Sequence, residues 1–98
     1  MERGPRNNLM KGRYLEVTFR KGKLVAACLY LPRTQGAKSA RTDAIAPGLL
    51  ADYAGDGTLI GLELTAPHQV SLDEINRVLR EAGTTPASAD ELAPLRAA

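Results

Sequence analysis

The chain has 98 residues, a net charge of +2 and a single cysteine. This length fits one domain. Folding of so short a chain buries only about 60–65% of the surface that the unfolded chain exposes, so we expect a small free energy of unfolding. Cys28 cannot form an internal disulfide, and no apolar run approaches the roughly 18 residues needed to cross a bilayer. Because no signal peptide is evident at the start, we expect a soluble, cytoplasmic protein.

Charge is distributed unevenly along the chain. Residues 1–41 hold ten Lys or Arg against two acidic residues, whereas residues 42–98 hold three Arg against nine Asp or Glu. A basic half suggests contact with nucleic acid or with an acidic partner, but neighbouring strands of opposite charge would give the same imbalance. The basic side chains follow strand alternation and do not cluster, which favours the second interpretation.

The first two predicted strands form a hairpin. Residues 14–20 alternate apolar and polar side chains, which is the period of a half-buried strand, and Lys21-Gly22 predicts a two-residue turn. In that register one face of the hairpin is wholly apolar, through three facing pairs: Phe19 with Leu24, Val17 with Ala26, and Leu15 with Cys28.

The second strand, residues 23–31, is apolar on its other side as well. A strand that is apolar on both faces needs cover from both sides, and one helix can cover only one of them. The sequence therefore predicts an uncovered apolar face, which we expect to contact a second copy of the chain or another small protein. This predicted interface consists of Val25, Ala27, Leu29 and Leu31.

A second hairpin is predicted further along the chain. A loop over residues 32–39 leads to a strand near 40–45, and Pro47-Gly48 then marks a bulge, a bend or a sheet edge. Residues 49–53 and 59–65 flank a Gly-Asp-Gly turn. The apolar side chains of these two strands share one face of the hairpin only if the loop contains an even number of residues. We therefore expect a loop of two or four residues.

The most strongly marked element is a helix over residues 71–82. Ser71 and Glu74 have the spacing of a capping box, and Val70 and Ile75 have that of a hydrophobic staple. An apolar stripe at helical spacing follows.

The fold class is therefore α+β: a small antiparallel sheet of four or five strands in two hairpins, with one C-terminal helix packed on one face. We expect residues 1–11 to be a flexible N-terminal segment, residues 12–83 to form the single domain and residues 84–98 to be a flexible tail.

Residues 42–64 resemble the bacterial and phage family called domain of unknown function 2283, and the resemblance extends loosely over residues 24–66. It rests on a Pro-Gly bend, an Asp-Tyr before an Asp-Gly turn, and a Gly-apolar-Glu strand, here Pro47-Gly48, Asp52-Tyr53, Asp56-Gly57 and Gly61-Leu62-Glu63. The resemblance implies a small β domain and no particular reaction. It also implies that the partner is a small protein, as in a toxin–antitoxin pair.

No catalytic set, metal site or cofactor site is predicted, and we do not expect an enzyme. His68 is the only histidine; the thiol of Cys28 falls on an apolar strand face and Ser71 is a helix cap. Asp52 and Glu63 lie on one face of the second hairpin, where we expect both carboxylates to stay hydrated. The segment between them resembles a calcium loop but lacks a ligand at its third position.

A nucleic-acid-binding module is the alternative function. Its contacts would come from basic side chains in the first half of the chain, with exposed tyrosines as stacking partners. These basic residues are Arg13, Arg20, Lys21, Lys23, Arg33, Lys38 and Arg41.

Overall fold

The computed structural model describes residues 12–32 and 37–96; the predicted N-terminal segment and Arg33 lie outside them. One antiparallel sheet and one helix make up the described fold, which is the predicted α+β class. The strands are β1 (Tyr14–Arg20), β2 (Lys23–Tyr30), β3 (Ser39–Ala46), β4 (Leu49–Ala54) and β5 (Leu59–Leu64), in the spatial order β1-β2-β5-β4-β3. The helix is α1 (Leu72–Glu81), and 3-10 turns lie at Pro67–Gln69 and Ala93–Arg96.

The β1–β2 hairpin turns through Lys21 and Gly22, as predicted. Both have positive φ, 52° and 78°, which is the type I′ geometry that follows the twist of the flanking strands. Next to the turn, Phe19 faces Leu24 as expected. Beyond it the predicted register is wrong, because Val25 is an extra residue that forms a β-bulge. The observed pairs are Thr18 with Ala26, Val17 with Ala27, and Leu15 with Leu29.

The bulge overturns the predicted interface. Inserting one residue exchanges the two faces of a strand, since side chains alternate with a period of two. Ala27, Leu29 and Leu31 therefore point into the core and are 1–3% exposed, whereas Val25 is 39% exposed. Three of the four predicted interface residues are core residues of the single chain.

Strands β3, β4 and β5 follow one another as a meander. Pro47 and Gly48 form the two-residue turn between β3 and β4, which resolves the alternatives left open by the sequence. Gly48 has φ of +80°, and a Cβ there would lie 2.8 Å from the Cβ of Ala66. Glycine is thus required both by the backbone conformation and by the close approach of the chain that leads to α1.

Residues 55–58 separate β4 from β5, which is one of the two loop lengths that the sequence left open. Leu49 faces Leu64 and Ala51 faces Leu62, so the apolar sets share the core face as expected. A bulge at Ile60 changes the pairing beside the loop.

Helix α1 begins and ends as its sequence indicates. Ser71 Oγ accepts a hydrogen bond from the Glu74 amide, and Glu74 Oε1 accepts one from the Ser71 amide, which completes the capping box. At the other end the amides of Gly83 and Thr84 donate to the carbonyls of Arg80 and Leu79, which is a Schellman motif. The apolar stripe of α1 packs on the core face of the sheet.

The segment predicted to be a flexible tail is packed against the domain over its described residues. Leu92 and Leu95 are buried in the core, 4% and 1% exposed. The Asn76 side chain exchanges two hydrogen bonds with the backbone of Ala87, at 3.0 and 2.7 Å. Together with α1, this segment covers the core face of the sheet. No helix of the described residues is long and apolar enough to cross a bilayer.

Candidate functional site: the open face of the sheet

The sheet face opposite α1 collects the polar side chains of four neighbouring strands, β1, β2, β5 and β4. We call it the open face, and its central cluster consists of Glu16, Cys28, Tyr30, Asp52 and Glu63. Strand pairing places Glu16, Cys28 and Glu63 in one row across β1, β2 and β5. A second row runs from Tyr30 through Gly61 to Asp52. The cluster is therefore set by the register of the central strands.

Asp52 and Glu63 form a carboxyl–carboxylate pair. They lie diagonally on adjacent strands, and a hydrogen bond between their side chains raises the pKa of Glu63 to about 7. Partial burial and the negative charge of Asp52 act in the same direction. Asp52 also accepts a hydrogen bond from the Thr42 hydroxyl. Thr42 thus holds Asp52 in place, and the pKa of Glu63 is raised so far that its carboxyl keeps a proton to a higher pH than a hydrated carboxylate would.

Tyr30, on β2, lies between this carboxyl pair and strand β1 on the open face. Its hydroxyl donates a hydrogen bond of 3.0 Å to Glu16 Oε1, and its ring stacks on Tyr14 with centroids 4.9 Å apart. Burial raises the pKa of Tyr30, and the neighbouring groups on the same face add to the effect. The hydroxyl is therefore a fixed hydrogen-bond donor.

The thiol of Cys28 lies in the middle of the cluster and is half-buried. Burial raises the pKa of Cys28, and the charges of Glu63, Glu16 and Asp52 raise it further, against the lowering effect of the Tyr30 hydroxyl. A thiol with a raised pKa is a poor nucleophile because little thiolate is present.

A groove of about 370 Å³ opens over the cluster. Its floor is Gly61, which has no side chain and lies between Tyr30 and Asp52 in the second row. Ser39 contributes to one wall. The hydroxyl of Tyr30 and the carboxyl groups of Asp52 and Glu63 line the groove, which suits recognition of a polar group.

The other side chains considered for chemistry lie elsewhere. His68 is exposed on the 3-10 turn that leads to α1 and does not line the groove. No group of three or more His, Cys, Asp or Glu with metal-binding geometry occurs among the described residues.

The basic residues predicted to contact nucleic acid do not form one surface. Arg20, Lys21 and Lys23 are exposed at the β1–β2 turn, whereas Lys38 and Arg41 are exposed at β3, the opposite edge of the sheet. Arg41 also pairs with Asp43 at 3.2 Å.

Arg13 is not available for such contacts, because it is only 3% exposed. Its guanidinium forms two hydrogen bonds with the carboxylate of Glu91, at 2.7 and 2.9 Å. It also donates to the carbonyls of Thr85 and Pro86. Arg13 therefore fastens the C-terminal segment to the start of β1.

The sequence contained a signal for the carboxyl pair. A four-residue β4–β5 loop places Asp52 opposite Gly61, so Glu63 must be its diagonal neighbour. The contributions of Glu16 and Tyr30 could not be anticipated, since they depend on the bulge at Val25 and on the pairing of β2 with β5.

No family model, no curated protein and no solved structure matches this chain. The resemblance to the domain of unknown function 2283 family therefore stays a prediction.

Proposed function

We propose that this chain is a non-catalytic protein-interaction module that acts as a homodimer. The observation that carries the proposal is the distribution of apolar surface. Phe19 and Val25 are the large apolar side chains most exposed in the described chain, at 48% and 39%, and both belong to the β1–β2 hairpin. Leu15 and Val17 of the same hairpin pack against the core but are only partly buried. A small domain that leaves its core incomplete along one edge gains stability when a second protein covers that edge.

The test is the mass of the purified chain in solution, measured by light scattering at low and at high salt. An apolar interface predicts a dimer at micromolar concentration that persists at high salt, since screening weakens charge contacts and not apolar burial. A monomer across this concentration range would contradict the proposal.

Nucleic-acid binding is a second candidate, favoured by the three exposed cations at the β1–β2 turn, Arg20, Lys21 and Lys23. It predicts a complex with single-stranded DNA whose affinity falls steeply as salt rises, because phosphate contacts release counterions. Charge reversal at Lys21 and Lys23 would then weaken binding further. The matched control reverses Lys38, which lies at the far edge of the sheet.

A further inference from the structure

We infer that two copies of this chain join through their β1 strands, which pair antiparallel about a two-fold axis at Val17. This inference rests on the proposed homodimer and names its interface. The two five-stranded sheets then become one continuous sheet, with both open faces on the same side.

The two edge strands of the sheet, β1 and β3, differ in how easily a further strand can pair with them. Strand β3, at one edge, is irregular at two places, between Ser39 and Arg41 and between Ala44 and Ala46. It also carries the exposed ion pair of Arg41 with Asp43. Bulges and charged side chains are the devices by which natural sheets block edge-to-edge pairing. Strand β1, at the other edge, has seven consecutive residues, and the bulge beside it lies on β2. Over the part of the chain that the structure describes, β1 is therefore the more regular of the two edge strands.

The sequence of β1 is complementary to itself in the antiparallel direction. With the axis at Val17, Leu15 of one protomer lies opposite the partner's Phe19, and the two Val17 side chains lie opposite each other. These residues are on the core face, so the pairing extends each core and covers the exposed ring of Phe19. Facing aromatic and β-branched or aliphatic pairs are the pairs that stabilise sheets most.

Charges also favour this arrangement. On the open face, Glu16 lies opposite the partner's Thr18 and diagonal to both the partner's Arg20 and the partner's Glu16, so attraction and repulsion at this position oppose each other. The basic β1–β2 turns point away from each other, and the two Lys21 residues lie about 27 Å apart along the strands, well beyond the Debye length. Parallel pairing would instead bring the basic turns together. The separation of the basic turns therefore favours antiparallel over parallel pairing of the two β1 strands.

Disulfide trapping tests the interface directly. A cysteine at position 17 faces its counterpart across the axis, at a Cα separation of about 4.5–5.5 Å that a disulfide can span. Val17→Cys is made in a Cys28→Ser background, so that the chain has one thiol. The matched control is Thr42→Cys in the same background, at an exposed position on the β3 edge. We expect the Val17→Cys chain to form a covalent dimer on mild oxidation and the Thr42→Cys chain to remain uncrosslinked.

A second variant tests the same interface without introducing a cysteine. Phe19→Lys changes an exposed side chain, so we expect the variant to give the circular dichroism spectrum of the parent chain. It removes two symmetric Leu15–Phe19 contacts, so the dimer dissociation constant should rise roughly tenfold. Ala44→Lys, at an exposed position on β3 at the opposite edge of the sheet, should leave the dissociation constant within about threefold.

The outcomes separate this inference from the proposed function. A dimer that is trapped at position 42 and not at position 17, or that is unaffected by Phe19→Lys, overturns the β1 interface while the homodimer stands. A monomeric parent chain overturns both.

Discussion

The hydrogen bond between Asp52 and Glu63 links folding to pH. The pKa of Glu63 is raised from its ordinary value of 4.5 to about 7 in the folded protein, chiefly by the hydrogen bond with Asp52. The folded state therefore holds this proton more tightly than the unfolded chain does. The stabilisation is fully present below about pH 4.5 and is lost as the pH rises through about 7.

We predict that Glu63→Gln removes this component of the pH dependence, because an amide can donate to Asp52 at every pH. The parent chain should lose about 1 kcal/mol of unfolding free energy between about pH 5 and pH 8, a value reduced for solvent screening of this half-buried pair. Urea unfolding at several pH values measures it. Glu81→Gln, on an exposed part of α1, should keep the parent profile. An unchanged profile in Glu63→Gln would show that the raised pKa of Glu63 is not the source of this pH dependence.

The buried ion pair of Arg13 with Glu91 predicts a large effect at a single position. Arg13→Ala leaves the Glu91 carboxylate, whose side chain is 8% exposed, without its partner. We expect the unfolding free energy to fall by about 3–5 kcal/mol. Arg20→Ala, an exposed arginine at the other end of β1, should change it by less than about 0.5 kcal/mol. Equal effects of the two substitutions in urea unfolding would show that the buried pair contributes nothing.

Among the elements, helix α1 depends on the cap at its start. The helix has ten residues, and a helix of this length is marginal without capping and tertiary contacts. The capping box satisfies two amides that have no partner within the helix.

We predict that Ser71→Ala lowers the unfolding free energy by about 1 kcal/mol, because the Glu74 amide loses its acceptor. Ser71→Asp retains an acceptor at the same position and should restore the parent stability. Thermal unfolding followed by circular dichroism compares the three proteins. If the Asp variant is as unstable as the Ala variant, the cap is not the cause.

For the whole molecule, the C-terminal segment is part of the domain. Residues 84–96 bury Leu92 and Leu95 against the sheet and hold Arg13 and Asn76 in hydrogen bonds. The two leucines alone contribute about 3–6 kcal/mol, which is comparable with the entire stability of many small domains.

We therefore predict that a chain ending at Gly83 loses its cooperative thermal transition and binds an apolar dye. Asp90→Ala changes an exposed side chain of the same segment and should unfold as the parent does. A sharp transition at the parent temperature in the shortened chain would mean that the domain ends at Gly83.

The sequence by itself determined the local features. The two-residue turn at Lys21-Gly22, the shared apolar face of β4 and β5 and the capping box at Ser71 all follow from nearby residues, because each is decided by φ preference, side-chain alternation or a hydrogen bond over three positions. The α+β class follows from the same patterns.

Tertiary structure decided which face of β2 is buried and where the domain ends. A bulge at Val25 exchanges the faces of β2, and the surrounding residues, apolar on both sides, do not encode that choice. The C-terminal segment is ordered through Arg13, 78 positions earlier in the chain from Glu91, and through Asn76. The cluster on the open face likewise depends on pairing between strands distant in sequence. All these contacts join segments that are distant in the sequence, and a local sequence pattern does not specify which distant segments meet.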